Sequence, residues 1–185
     1  AVDDFTSEED EDDETKDTVD DFDENRTAGR IYSYGSAPAL AIEANAGENV
    51  VFSSVVETVR DTTDDDDDDD VDEVLATFSF DQGLINRGTI YDSGVNIGFD
   101  ATALSISGSE DGTGTVTIDG GILNSGTIQG TAYEASAVGL LLGNGTAIGT
   151  LENSGSIAAT TYTLTDDTAK ALFISNGSTL EAILN

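Results

Sequence analysis

Seven consecutive aspartates, Asp64, Asp65, Asp66, Asp67, Asp68, Asp69 and Asp70, followed closely by Asp72 and Glu73, are the residues of this chain most suggestive of chemistry. Carboxylate oxygens at this density are ligands for a hard cation, and Ca²⁺, which takes about six to eight oxygens, is the cofactor they point to. The spacing is not that of an EF-hand, because no glycine follows the third alternate aspartate and Glu73 is not at the bidentate position. The glycine-rich calcium nonapeptide is absent as well. Without a cation such a block repels itself, and its default reading is a solvated loop.

Other chemistries find little support. There is no histidine and no cysteine, so the commonest general base, the thiol nucleophile and the usual zinc ligands are all missing. Some parallel β-helix enzymes cleave acidic polysaccharides with Asp-bound Ca²⁺ and an Arg or Lys base. Here Arg60 is the only base beside the acidic tract, and it reads as a stray charge. Carboxylate pairs are expected by chance in a chain with 38 acids, so none identifies an acid–base couple. The expectation is a protein that is not an enzyme.

The net charge of −32 is unevenly spread. An acidic N-terminal segment, residues 1–24, and an acidic insertion, residues 57–74, carry most of it. Such a surface repels nucleic acid and anionic lipid and attracts cations. No run is apolar over the length of a membrane span, so this stretch of chain is not expected to insert in a bilayer. Methionine is absent and the chain begins at Ala1. That start leads us to expect a removed secretory leader, with an excised fragment as the alternative.

Residues 25–185 are repetitive. An Asn-Gly phrase recurs as "LINRGTI" from Leu84, "ILNSGTI" from Ile122 and "LENSGSI" from Leu151, and begins again at Ile183, Leu184 and Asn185. "NRTAGRI" at Asn25 is a degenerate copy. An Ala-rich phrase alternates with it: "APALAI", "ATALSI", "ASAVGL" and "AKALFI", aligned on Leu40, Leu104, Val138 and Leu172. A period of 30–35 residues built of short β-rich phrases between Gly, Asn and Ser is a repeat architecture. The fold class expected is all-β: a parallel β-solenoid of about four irregular coils with three short strands each, the poly-Asp tract being inserted into one coil.

Residue roles follow from that geometry. In the Asn-Gly strand, Ile122 with Ile128, Leu84 with Ile90 and Leu151 with Ile157 point inward, while Ile85, Leu123, Glu152 and Leu184 point outward. Asn86, Asn124, Asn153 and Asn185 are expected to stack as a structural turn ladder, in the left-handed conformation that Asn and Gly tolerate. The second strand carries the Ala phrase and the third carries "GTVTIDGGI", Gly114–Ile122. Links such as "YDSGVNIGFD" and "TTYTLTDD" vary, and solenoids place variable links on the binding side. There Tyr91, Tyr133 and Tyr162 are placed to stack on sugars. Most other aromatics are expected in the core or under loops. The triplets at Asn25, Asn144 and Asn176 fit the N-glycosylation pattern and read as turns.

The phrases "INRGTI", "ILNSGTI", "LENSGSI", "ATALSISG" and "AVGLLLGNGTAIG" resemble the passenger regions of bacterial autotransporter-type surface proteins. The resemblance covers residues 75–185, with a weaker echo at 25–56. It implies a right-handed β-helix displayed on the bacterial surface or secreted. The membrane barrel of that family is not in this sequence. An uncapped stack exposes strand edges and an open core, so Ile183, Leu184 and Asn185 are expected to form an assembly end. It would be completed by more chain or by head-to-tail self-association, with Ca²⁺ bridging the acidic tracts. The function expected is a structural subunit or passenger segment that stacks into a filament or fibre. The alternative is a cell-surface adhesin that binds a host, surface or polysaccharide ligand through its variable loops.

Overall fold

The computed structural model describes residues 29–60, 74–163 and 166–185. Candidate metal ligands Asp64 to Asp70, Asp72 and Glu73 lie outside the described residues, as does the N-terminal acidic segment. Among the described residues there is no helix. Residues 28–56 and 79–185 make up one compact unit.

That unit is a parallel β-solenoid of four coils. The first coil holds β1 (Arg30–Tyr34), β2 (Leu40–Glu43) and β3 (Asn49–Phe52). The chain then passes through β4 (Val55–Arg60) and β5 (Val74–Phe80), which form a two-stranded sheet. It resumes the first coil at β6 (Leu84–Asn86). The second coil is β7 (Thr89–Gly94), β8 (Ala101–Ser107) and β9 (Thr115–Asn124). The third is β10 (Thr127–Tyr133), β11 (Ala137–Leu142) and β12 (Thr146–Asn153), and the fourth β13 (Ser156–Tyr162), β14 (Ala169–Ile174) and β15 (Thr179–Leu184). Corresponding strands pair in parallel into three flanks: β1-β7-β10-β13, β2-β8-β11-β14 and β3-β9-β12-β15.

The insertion divides one strand position in two. β3 pairs with Thr115–Ile118 of β9, and β6 pairs with Ile122–Asn124 of the same strand. Between them β9 carries a bulge at Asp119–Gly121, where Gly120 and Gly121 have φ of 67° and 97°. A Cβ on Gly120 would lie 1.8 Å from the Asp81 carbonyl oxygen, so only glycine admits the returning chain there. The Val55 amide donates to the Gln82 carbonyl at 3.1 Å, so the two ends of the insertion meet.

Two expectations need correction. The Asn-Gly phrase is not one strand. It crosses a corner: Ile122 lies in β9 of the third flank, which ends at Asn124, Ser125 and Gly126 bend, and Ile128 lies in β10 of the first flank. Both isoleucines are nonetheless fully buried. The Ala phrase also shifts by two residues in the third coil, where Leu140, not Val138, pairs with Leu104 and Leu172. Side chains alternate with a period of two, so this shift preserves which residues face inward. Periodicity alone could not detect it.

The core is a set of columns, one aliphatic residue per coil. Leu104 and Leu140 are buried, and so are Ile106 with Leu142, Ile118 with Ile148 and Ile122 with Leu151. At the stack's two ends the same columns open. Leu40 and Leu172 are half-buried, and Ile31, Ile174 and Ile183 are exposed.

Candidate functional site

The corner between the third and first flanks is built by repeated chemistry. Asn86 Nδ2 donates to Asn124 Oδ1 at 2.7 Å, Asn124 Nδ2 to Asn153 Oδ1 at 2.7 Å, and Asn153 Nδ2 to Asn185 Oδ1 at 2.8 Å. The structure thus brings all four asparagines into one ladder. None has a positive φ. Among the described residues the only non-glycine with one is Glu134, so the left-handed conformation is not what selects asparagine here. The amide is selected because it donates upward, accepts from below and satisfies a corner from which water is excluded at Asn124.

A glycine column runs beside it. A Cβ on Gly88 would lie 2.0 Å from the Gly29 carbonyl oxygen. On Gly126 it would lie 2.0 Å from that of Gly88, and on Gly155 2.1 Å from that of Gly126. These glycines are required by the approach of one coil to the next. The fixed offset of glycine two residues after each asparagine was the sequence signal for it.

The first and last of the described coils carry apolar side chains that the middle coils bury. At the first coil a cavity of about 470 Å³ opens onto the core, lined by Ile31, Leu40, Leu84, Ile90, Leu104 and Ile122 among others. At the fourth coil β13, β14 and β15 form the last edge, where Ile183 and Leu184 are more than half exposed. Phe173 is partly covered by Lys170, whose Nζ sits 4.1 Å from the ring centroid.

The first flank carries the third surface. Ile31, Ile90, Ile128 and Ile157 align in register along its inner side. Every tyrosine of the chain stands an odd number of residues after one of them, and so on the outer side. Tyr32 meets Tyr91 edge to face, with centroids 5.8 Å apart. Tyr133 and Tyr162 are stacked at 5.1 Å and 16°. Tyr32, Tyr34, Tyr133 and Tyr162 are exposed. Tyr32 and Tyr34, expected under loops or in the core, therefore join the other three on this face. The Gly98 amide donates to the Tyr133 carbonyl at 3.0 Å, which fixes the variable loop carrying exposed Ile97 and Phe99 alongside.

Asp92 and Asp111 have displaced acidities. Asp92 is fully buried on the inner side of β7. Its Oδ2 accepts from the Thr102 amide at 2.8 Å, while Oδ1 has no hydrogen-bond partner. Burial pushes this carboxyl above the ordinary aspartate range, against the lowering by the Thr102 amide. Asp111 accepts from the Ser109 hydroxyl at 2.6 Å and from the Thr113 hydroxyl and amide at 2.7 and 3.0 Å, and these bonds hold it below that range. It closes a turn. Among the described residues no three acidic side chains gather closely enough to hold a metal ion. No family model, no curated protein and no solved structure matches this chain, so its β-solenoid fold is read from its own strands and register.

Proposed function

We infer that this protein is an extracellular structural solenoid, of the kind displayed as a passenger on bacterial surfaces, that stacks end to end into a fibre. One observation carries the reading. The core columns are closed in the middle coils and open at both ends, and the two ends have the same three-stranded cross-section. Among the described residues, β13, β14 and β15 are each the last strand of their sheet, and their edge carries the side chains of Ile157, Leu172, Leu180 and Ile183. Among the described residues, the edge of β1, β2 and β3 presents the matching groups, with Ile31, Leu40 and Leu84 around an apolar cavity. Laying one on the other continues every ladder by strand addition. The contact is heterologous, and a heterologous contact that does not close propagates as a filament. Ca²⁺ enters this reading as the ion that neutralises the acidic tracts of neighbouring copies.

Sedimentation velocity over a rising concentration series, in calcium and in chelator, tests the reading. A concentration-dependent series of oligomers is expected, larger in calcium. Ile183→Asp, which sets a carboxylate on the open core, should leave far-UV circular dichroism unchanged and abolish the series. Wild-type protein that stays monomeric throughout, or oligomers indifferent to Ile183→Asp, would overturn it.

A further inference from the structure

In a chain with 38 acids, the outer side of the first flank has none. Along β1, β7, β10 and β13 the only carboxylate is Asp92, and it points inward, buried. The outward positions hold the five tyrosines with Thr, Ser, Gln129, Ala158 and a single base, Arg30. Gln129 Nε2 donates to Thr131 Oγ1 at 3.4 Å; Thr131 and Ser93 are themselves buried, so Thr89, Thr127, Gln129, Ser156 and Thr160 are the polar groups of this face that reach solvent. The third flank shows the contrast, with Asp119, Glu152 and Glu181 on its strands.

We propose that this tyrosine face is a binding site for an uncharged polysaccharide strand. Desolvation, side-chain chemistry and size each select that partner. A site that works by displacing water should avoid groups that hold it tightly, and carboxylates are the costliest to strip. This is the flank from which they are missing. Tyrosine offers a flat apolar ring with a hydroxyl at its rim, at little loss of side-chain freedom. Beside threonine, serine and glutamine it suits a ligand that is likewise apolar on its ring faces and hydroxylated at its edges. Four strands about 4.8 Å apart and some seven residues long give a face of about 20 by 23 Å. That is roughly half of the about 800 Å² per partner that a stable protein interface needs. A second copy is therefore poorly served, whereas a narrow chain is not. The ring pairs Tyr32–Tyr91 and Tyr133–Tyr162 stand about four residues, or about 13 Å, apart along the strands, which spaces two contact platforms for an extended ligand. The molecule's net charge disfavours polyanions, so the sugar strand is an uncharged one.

The chain has no tryptophan and its five tyrosines all lie on this face, so tyrosine emission reports on this surface alone. The experiment titrates the intact Ile183→Asp protein, which keeps the face and lacks the proposed end-to-end contact. Laminarin, xyloglucan and galactomannan are the uncharged probes, and polygalacturonate is the charged one. Native gels cast with each polysaccharide give a second readout. A saturable change in emission with at least one uncharged probe is expected, with retardation on the matching gel and no response to polygalacturonate. Adding Tyr133→Ser with Tyr162→Ser should weaken that binding about tenfold or more, while Phe173→Ser on the second flank should leave it intact. Far-UV circular dichroism checks each fold. Silence with all three uncharged probes would overturn the proposal. So would a double serine variant that binds as tightly as its parent, or an emission change that follows protein concentration without any sugar.

Discussion

Asp92 and Asn124 are both removed from solvent, and they satisfy their polar atoms to different degrees. Asn124 gives and receives amide hydrogen bonds from coils on either side, so its burial leaves nothing unpaired. Asp92 Oδ2 accepts from the Thr102 amide while Oδ1 keeps no partner, and the lowering by the Thr102 and Ser93 amides and the Ser33 hydroxyl does not offset its burial. Its neighbours in register, Ser33 and Gly130, carry no charge to compensate. The folded state therefore prefers the protonated acid, and the sign of the consequence is fixed. A carboxyl whose folded pKa is raised contributes stability that is fully present below the ordinary aspartate value and is lost as pH rises through the folded value. Asp92→Asn is neutral at every pH and keeps an oxygen for the Thr102 amide. It should raise the urea midpoint at neutral pH, and its advantage over wild type should shrink as pH falls towards the ordinary aspartate range. The rest of the chain titrates alike in both proteins, so the difference isolates this residue. An advantage that is constant with pH, or of opposite sign, would refute the assignment.

At the scale of the strand and its corner, glycine does what side chains cannot. The Gly88, Gly126 and Gly155 positions face the carbonyl of the glycine one coil below, at distances no Cβ tolerates. Gly29 occupies the same column with nothing within 4 Å. Gly126→Ala should force two coils apart and cost about 1–3 kcal/mol, the usual range for overpacking, read as a melting point lower by several degrees. Gly29→Ala should be near neutral. Equal effects at the two sites would mean that backbone flexibility, and not coil-to-coil approach, keeps the column glycine. This contrast also marks how far the sequence could be read. The inward residues of the Asn-Gly phrase and the three-strand coil follow from alternation, which local sequence records directly. The corner at Ser125–Gly126 and the two-residue shift to Leu140 do not follow, because both leave the inward–outward alternation intact. The tyrosine face was half legible. Tyr91, Tyr133 and Tyr162 fell on the variable side, but Tyr32 and Tyr34 were missed, because placing them needs the register of β1 on β7. Asp92 gave no sequence signal at all, since an aspartate two residues after an isoleucine reads equally well as a strand end.

For the molecule as a whole, charge sets the conditions. A net of −32 on 185 residues makes folding and association alike work against self-repulsion. At physiological ionic strength that repulsion reaches about 8 Å, and at 1 M salt only about 3 Å. The solenoid keeps its own strands lightly charged and leaves much of the burden to the insertion, whose two ends meet at Val55 and Gln82. Joining those two residues through an Asn-Gly turn removes twelve acids and one base without breaking a coil. Sodium chloride should raise the melting point of the full chain, and should raise that of the excised chain less. Calcium separates two physical accounts of the acidic tract. If the tract merely repels, calcium should match sodium chloride at equal ionic strength. If it holds a specific site, calcium should stabilise the full chain further, in proportion to the logarithm of its excess over the dissociation constant, and that increment should vanish on excision. The calcium part of the end-to-end reading requires the second result. The first would leave the stacking of open coils in place and reduce the ion to a screen.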